Sequence, residues 1–239
     1  MRFVCSALIG SLALSSVAAA DTVGLDFAGT GSGRAVRMTL ASNSQNVFAG
    51  QLFHMASGGN GALASLNGTT FVTFCADASQ YVNTSEVPLT YTSTAISNLP
   101  QSAGYPAMGA VKAQAVYDLF AAAGSAQVAA GANSDFAAAF QIALWEIIYD
   151  YSGADSSLNS NSGTMQVRTT GGQALSGAIF TYLDNFFNAI NTTTAGQNGL
   201  IGLASLQGQD QIVLIPLPSA ALLGLGGLGL IAVARRRFR

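Results

Sequence analysis

Apolar and polar positions follow two different periods along this chain, a period of two in its first third and a helical period in its middle. Residues 23–28, 34–41, 47–56 and 69–74 alternate or run apolar, are rich in β-branched and aromatic side chains, and are separated by Gly, Ser and Asn clusters. That pattern predicts four strands. The GTGSGR stretch at 29–34 has the look of a phosphate-cradling loop, but the RAVRMTL that follows reads as a strand, so a hairpin turn is expected there. Helices are predicted at 108–123, at 134–151 and at 173–190, the last after a polar Gly/Ser/Asn-rich loop at 152–172. The second has the clearest signals: Ser134 as N-cap, Asp135 in the first turn and Gly153 just past the end. Residues 199–215 return to a strand pattern, and no internal repeat is present. Strands followed by helices predict an α+β fold, an antiparallel β-sandwich or barrel with a helical lobe inserted between Asn98 and Ile190.

Both ends of the chain carry unbroken apolar runs of another kind. Arg2 precedes an apolar run at 3–17 that is too short to span a bilayer, and Ala18, Ala19 and Ala20 give the small-x-small pattern a signal peptidase accepts. Residues 1–20 therefore read as a signal peptide, with the mature chain starting near Asp21. Residues 212–234 carry no charge and are followed by Arg235, Arg236, Arg237, Phe238 and Arg239. Such a run is long enough for one transmembrane helix. Pro216 and Pro218 would sit at its outer end, and Arg235, Arg236 and Arg237 would act as a cytoplasmic stop-transfer cluster. The domain plan is thus a signal peptide (1–20), an extracytoplasmic domain (21–211) and a membrane tail (212–239).

That tail resembles the PEP-CTERM class of sorting signals, and more narrowly its VPLPA-type variant. Pro216, Leu217 and Pro218 form the short motif, Ile215 stands for the leading Val and Ser219 for the following Ala. The resemblance covers about the last 25 residues. It implies recognition by an exosortase-type membrane protease, with cleavage or transfer near the proline motif. It also implies display at the cell surface or release into the matrix.

Charge narrows the partners. All 11 acidic residues lie between the two ends, together with only four basic ones, Arg34, Arg37, Lys112 and Arg168, so the ectodomain carries a net charge of −7. With no Lys/Arg cluster, nucleic-acid binding is not expected. Abundant apolar and aromatic residues argue for a folded domain. The sequons at Asn67, Asn83 and Asn191 mark surface loops.

Cysteine arithmetic points to chemistry. Of two cysteines, Cys5 leaves with the signal peptide and Cys75 is left without an internal partner in an oxidising compartment. Cys75 ends a predicted strand and shares a face with Phe71 and Thr73. Gln141 lies inside the second predicted helix, on the face of Leu144, Trp145 and Ile148. A glutamine aimed into an apolar, aromatic-lined pocket is unusual, because its amide has several hydrogen-bonding groups to satisfy.

Phe74-Cys75-Ala76-Asp77 and Gln141-Ile142-Ala143-Leu144-Trp145 resemble the two motifs of the thioester domain of Gram-positive surface adhesins, with Phe140 in place of the Thr before the Gln. The likeness spans about residues 69–153, with Cys before Gln in the chain. It implies an internal thioester between the Cys75 sulfur and the Gln141 side-chain carbonyl, shielded from water by Phe74 and Trp145. Its partner would be an amine or hydroxyl on a surface or matrix, captured without an enzyme's turnover and without metal or cofactor. Two other readings stay open. Cys75 can be an inert buried side chain in a non-covalent structural or adhesive module. It can also be a hydrolase nucleophile with His54 as base and Asp77 or Asp150 orienting it. Asp150, Ser152 and Asp155 offer oxygens to Ca²⁺ but lack a full loop pattern and read as a solvated turn.

Overall fold

A computed structural model describes residues 20–215, apart from 103, 125–127, 129–130, 155–156, 191–194 and 197–198. The expected signal peptide, the motif of Pro216, Leu217 and Pro218, the apolar span and the cluster of Arg235, Arg236 and Arg237 lie outside the described residues. Among the described residues no helix is long and apolar enough to cross a membrane.

The fold is mixed α+β, built on seven strands: β1 (Thr22–Leu40), β2 (Asn43–Ser57), β3 (Thr70–Cys75), β4 (Leu89–Thr94), β5 (Met165–Thr169), β6 (Leu200–Ala204) and β7 (Gln211–Leu214). Every pairing between them is antiparallel. The order is β2-β3-β7-β6-β4-β1-β5, and β1 also pairs with β2, so the ladders of six strands return on themselves. The length of β1 makes this possible. Its first residues pair with β4 and its last five with β5, while β2 runs along the other edge.

The glycine-rich stretch at 29–34 is not the expected hairpin turn. It lies inside β1, where the register against β2 shifts twice, and the chain reverses instead at Ala41 and Ser42. The glycines serve a close crossing. A Cβ on Gly33 would run into the Ala49 carbonyl, and one on Gly50 into the Ser32 carbonyl.

Helix α1 (Gly109–Ala123) and helix α2 (Ser134–Tyr149) lie between β4 and β5, and α3 (Gly177–Ala189) lies between β5 and β6. The N-cap of α2 is Asn133 rather than Ser134: its side chain accepts from the Phe136 N–H at 2.7 Å. Arg34 of β1 ties down the first turn through Asp135 at 2.8 Å. From Ala137 to Ile148 every residue of α2 is buried, as expected of a helix that is apolar all round and packed on all sides. It sits on β1 and β2 with α1 and α3 beside it. Helix α3 starts later than the periodicity predicts because Gln173 is engaged with Thr169 in the turn after β5.

The strand pattern at 199–215 divides into β6 and β7 around a turn in which Asp210 accepts from the Ser205 N–H at 2.9 Å. Ile212 and Val213 are buried in β7, between β3 and β6. The apolar run assigned to the tail from residue 212 therefore begins as sheet, and the folded domain extends through Ile215. A short buried strand and the start of a membrane span share the same unbroken apolarity, and periodicity does not separate them. The larger core lies between the sheet and the helices; a smaller one gathers Val23, Leu25, Leu63, Tyr91 and Leu203.

Candidate functional site

Strand β3 ends at Cys75, whose register partner on β7 is Gln211. On the helix side, Gln141 meets Cys75 through a pair of reciprocal hydrogen bonds. The Cys75 N–H donates to Gln141 Oε1 at 3.0 Å, and Gln141 Nε2 donates to the Cys75 carbonyl at 2.9 Å. One turn further along α2, Trp145 Nε1 donates to Cys75 Sγ at 3.3 Å. Cys75, Gln141 and Trp145 are all buried. The two motifs, 66 residues apart in the chain, thus converge on one point.

Burial pushes the Cys75 thiol up to about 12, against the opposing pull of the Trp145 donor. The sulfur therefore rests as a neutral thiol. The arrangement has three consequences for chemistry at the Gln141 carbonyl carbon. The Cys75 N–H polarises the carbonyl and would stabilise an oxyanion formed there. The donor from Trp145 would stabilise charge growing on a departing sulfur. A cavity of about 190 Å³, lined by Cys75, Gln141 and Trp145 together with Met38, Phe48 and Tyr81, adjoins the pair and would set how much water meets it.

Phe74 does not line that cavity. It packs against Phe120 and Phe140, with ring centroids 5.8 and 4.6 Å away. Its contribution is to hold β3 against α1 and α2, whereas Trp145 donates to the sulfur. Phe140, which stands where the resembling motif has Thr, is fully buried at the centre of that aromatic cluster and also meets Phe186.

The alternative Cys–His–Asp arrangement is not assembled. His54 is buried, and its Nδ1 lies 2.9 Å from Thr73 Oγ1. Thr73 donates its own proton to Gln211 Oε1 at 2.9 Å, which makes His54 Nδ1 the donor of that pair. Burial lowers the imidazole to about 4, and His54 does not line the cavity over Cys75. Asp77 Oδ1 accepts from the Ser79 N–H and hydroxyl at 2.9 and 2.6 Å. Asp150 accepts from the Thr164 and Met165 N–H groups at 2.7 and 2.8 Å, closing the loop after α2. That use also occupies the carboxylate considered for Ca²⁺; Asp155 lies outside the described residues. Among the described residues no cluster of three or more His, Cys, Asp or Glu is placed to hold a metal.

Sequence reasoning missed Glu146, the neighbour of Trp145. It is fully buried, accepts from the Asn159 N–H at 3.2 Å through Oε2, and has no partner at Oε1 among the described residues. Burial, with Asp150 nearby, pushes its carboxyl up to about 8. A lone acid within the apolar run of α2 was the available signal. Compared with protein-family models, with curated proteins and with solved structures, the chain matches none of them.

Proposed function

We propose that this chain is an exported surface or matrix-associated protein that attaches to its partner through an internal thioester between Cys75 and Gln141. The observation that carries this reading is the reciprocal pair of hydrogen bonds that holds the Gln141 carboxamide on the Cys75 main chain, with Trp145 on the sulfur. In the forming step, Cys75 Sγ adds to the Gln141 side-chain carbonyl carbon, the carbon–nitrogen bond breaks, and ammonia leaves carrying the thiol proton. In the capture step, an amine or hydroxyl of the partner adds at the same carbon. The carbon–sulfur bond then breaks and the nucleophile's proton passes to sulfur, leaving a stable amide or ester and a free thiol.

The ring of strands serves in this reading as a rigid barrel, with the helical lobe pressing Gln141 and Trp145 onto the end of β3. The signal peptide directs export. The tail, through Pro216, Leu217 and Pro218, is the substrate of an exosortase-type protease, its apolar helix holds the membrane, and Arg235, Arg236 and Arg237 stay cytoplasmic. The burial of Cys75 favours a second reading, a non-covalent adhesive module in which the thiol is a small apolar side chain. Methylamine separates the two. Under the thioester reading it opens the bond, leaves a methylamide on Gln141 and makes Cys75 alkylatable in denaturant. A Cys75 that is fully alkylated in denaturant before methylamine is added sinks the thioester and leaves the non-covalent module.

A further inference from the structure

The cavity over Cys75 continues into a second depression of about 300 Å³; the two share Gln45, Ala78 and Tyr81 as lining. Among the described residues the resulting groove has no Asp, Glu, Lys, Arg or His on its walls. Its polar groups are side-chain amides and hydroxyls. Tyr81 is 75% exposed, and its hydroxyl donates to Gln45 Oε1 at 2.7 Å, which fixes the ring at the junction of the two depressions. Tyr105 lines the outer depression, its ring held edge-on against Tyr149 at 5.0 Å. Gln80 lines the inner one, and its Oε1 is buried with no hydrogen-bond partner among the described residues.

From these features we infer that the groove binds a neutral saccharide chain, which brings the partner's nucleophile to Gln141. A charged ligand would lose its hydration here and find no counter-charge. Amides present a donor and an acceptor side by side, the pattern that neighbouring sugar hydroxyls complement. Tyrosine faces supply apolar surface for the C–H side of a sugar ring while their hydroxyls stay wet. The net charge of −7 on the ectodomain further disfavours polyanions. Holding a saccharide in the groove also answers the weak nucleophilicity of a hydroxyl, since positioning raises its effective concentration at the carbonyl carbon.

The inference rests on the thioester reading for capture but not for binding, so the test uses the full chain carrying Cys75→Ala, which cannot form the bond. Calorimetric titration with maltohexaose, cellohexaose and mannohexaose, with hexagalacturonate and chitosan hexamer as anionic and cationic comparators, reads binding directly. At least one neutral hexasaccharide is expected to bind, more tightly than either charged one. Adding Tyr81→Ala or Gln80→Leu is expected to weaken it about tenfold or more, the scale of one lost stacking or hydrogen-bonding contact, with an unchanged melting temperature. No binding by any neutral hexasaccharide, preference for a charged one, or full binding by both groove variants overturns the inference. An ammonia deficit in the native chain without saccharide binding would leave capture standing and remove the saccharide; binding without the deficit would do the reverse.

Discussion

Strand β3 carries two buried polar knots only two residues apart, and they differ in what they leave open. At Thr73, His54 donates to the hydroxyl, the hydroxyl donates to Gln211, and Gln211 donates to the Gln209 carbonyl at 3.0 Å. The chain of donors ends on the Gln209 carbonyl and side-chain oxygen, and neither His54 nor Thr73 meets the cavity. At Cys75, the Gln141 amide is equally well held, on the Cys75 main chain, but here both residues line a cavity. Buried networks of the first kind fix a core's register. Only the second combines a nucleophile, an electrophile, donors on both the oxygen and the sulfur, and a way in. The difference shows why His54, the one imidazole in the chain, is structural while an amide and a thiol form the candidate site.

The sharpest way to break this comparison is to remove each knot's centre. Gln141→Ala leaves the Cys75 N–H and C=O unpaired beside a new cavity and is expected to cost about 2–4 kcal/mol of stability. Thr73→Val exchanges one hydroxyl for a methyl and is expected to cost about 1–2 kcal/mol. Urea denaturation of both variants checks the order; a larger loss at Thr73 would contradict it.

Acid should find the closed knot first. The imidazole of His54 lies at about 4 in the fold against an ordinary 6.5, so between those values the unfolded chain holds the extra proton. Its contribution to stability is complete above pH 6.5, falls as pH drops toward 4, and amounts to about 3 kcal/mol. The wild-type minus His54→Gln difference in unfolding free energy should trace that window. A flat difference would place the ring in solvent-like surroundings.

The smallest expected effect concerns the sulfur. Trp145→Phe keeps an aromatic ring but deletes the donor to Sγ, at a cost of about 1 kcal/mol in stability. Methylamine opening should slow by about tenfold, as the departing sulfur loses the indole donor. An unchanged opening rate would mean that Trp145 acts only as a shield.

Much of the site was legible in the residues. The alternation ending at Cys75 and the helical spacing of Gln141 and Trp145 implied faces that the fold does bring together. Other features were not legible. Gly29, Gly31 and Gly33 read as a turn because a positive φ at Gly29 and a close strand crossing at Gly33 leave the same composition as a hairpin. Asn133 and Ser134 are both good caps, and only the backbone decided between them. Phe74 read as a shield because it adjoins Cys75, yet strand alternation turns it toward Phe120 and Phe140. The groove residue Gln45 comes from β2 and Gln80 and Tyr81 from the segment after β3, and no local pattern announces their meeting.

The central claim, a covalent bond between Cys75 and Gln141, changes the mass of the chain. Intact mass spectrometry of the exported protein, purified without amines and compared with Cys75→Ala and Gln141→Ala, measures it directly. The account predicts a wild-type mass one ammonia below that of its sequence, and both variants at full mass. A wild-type chain at full sequence mass, with Cys75 alkylated once unfolded, would contradict it.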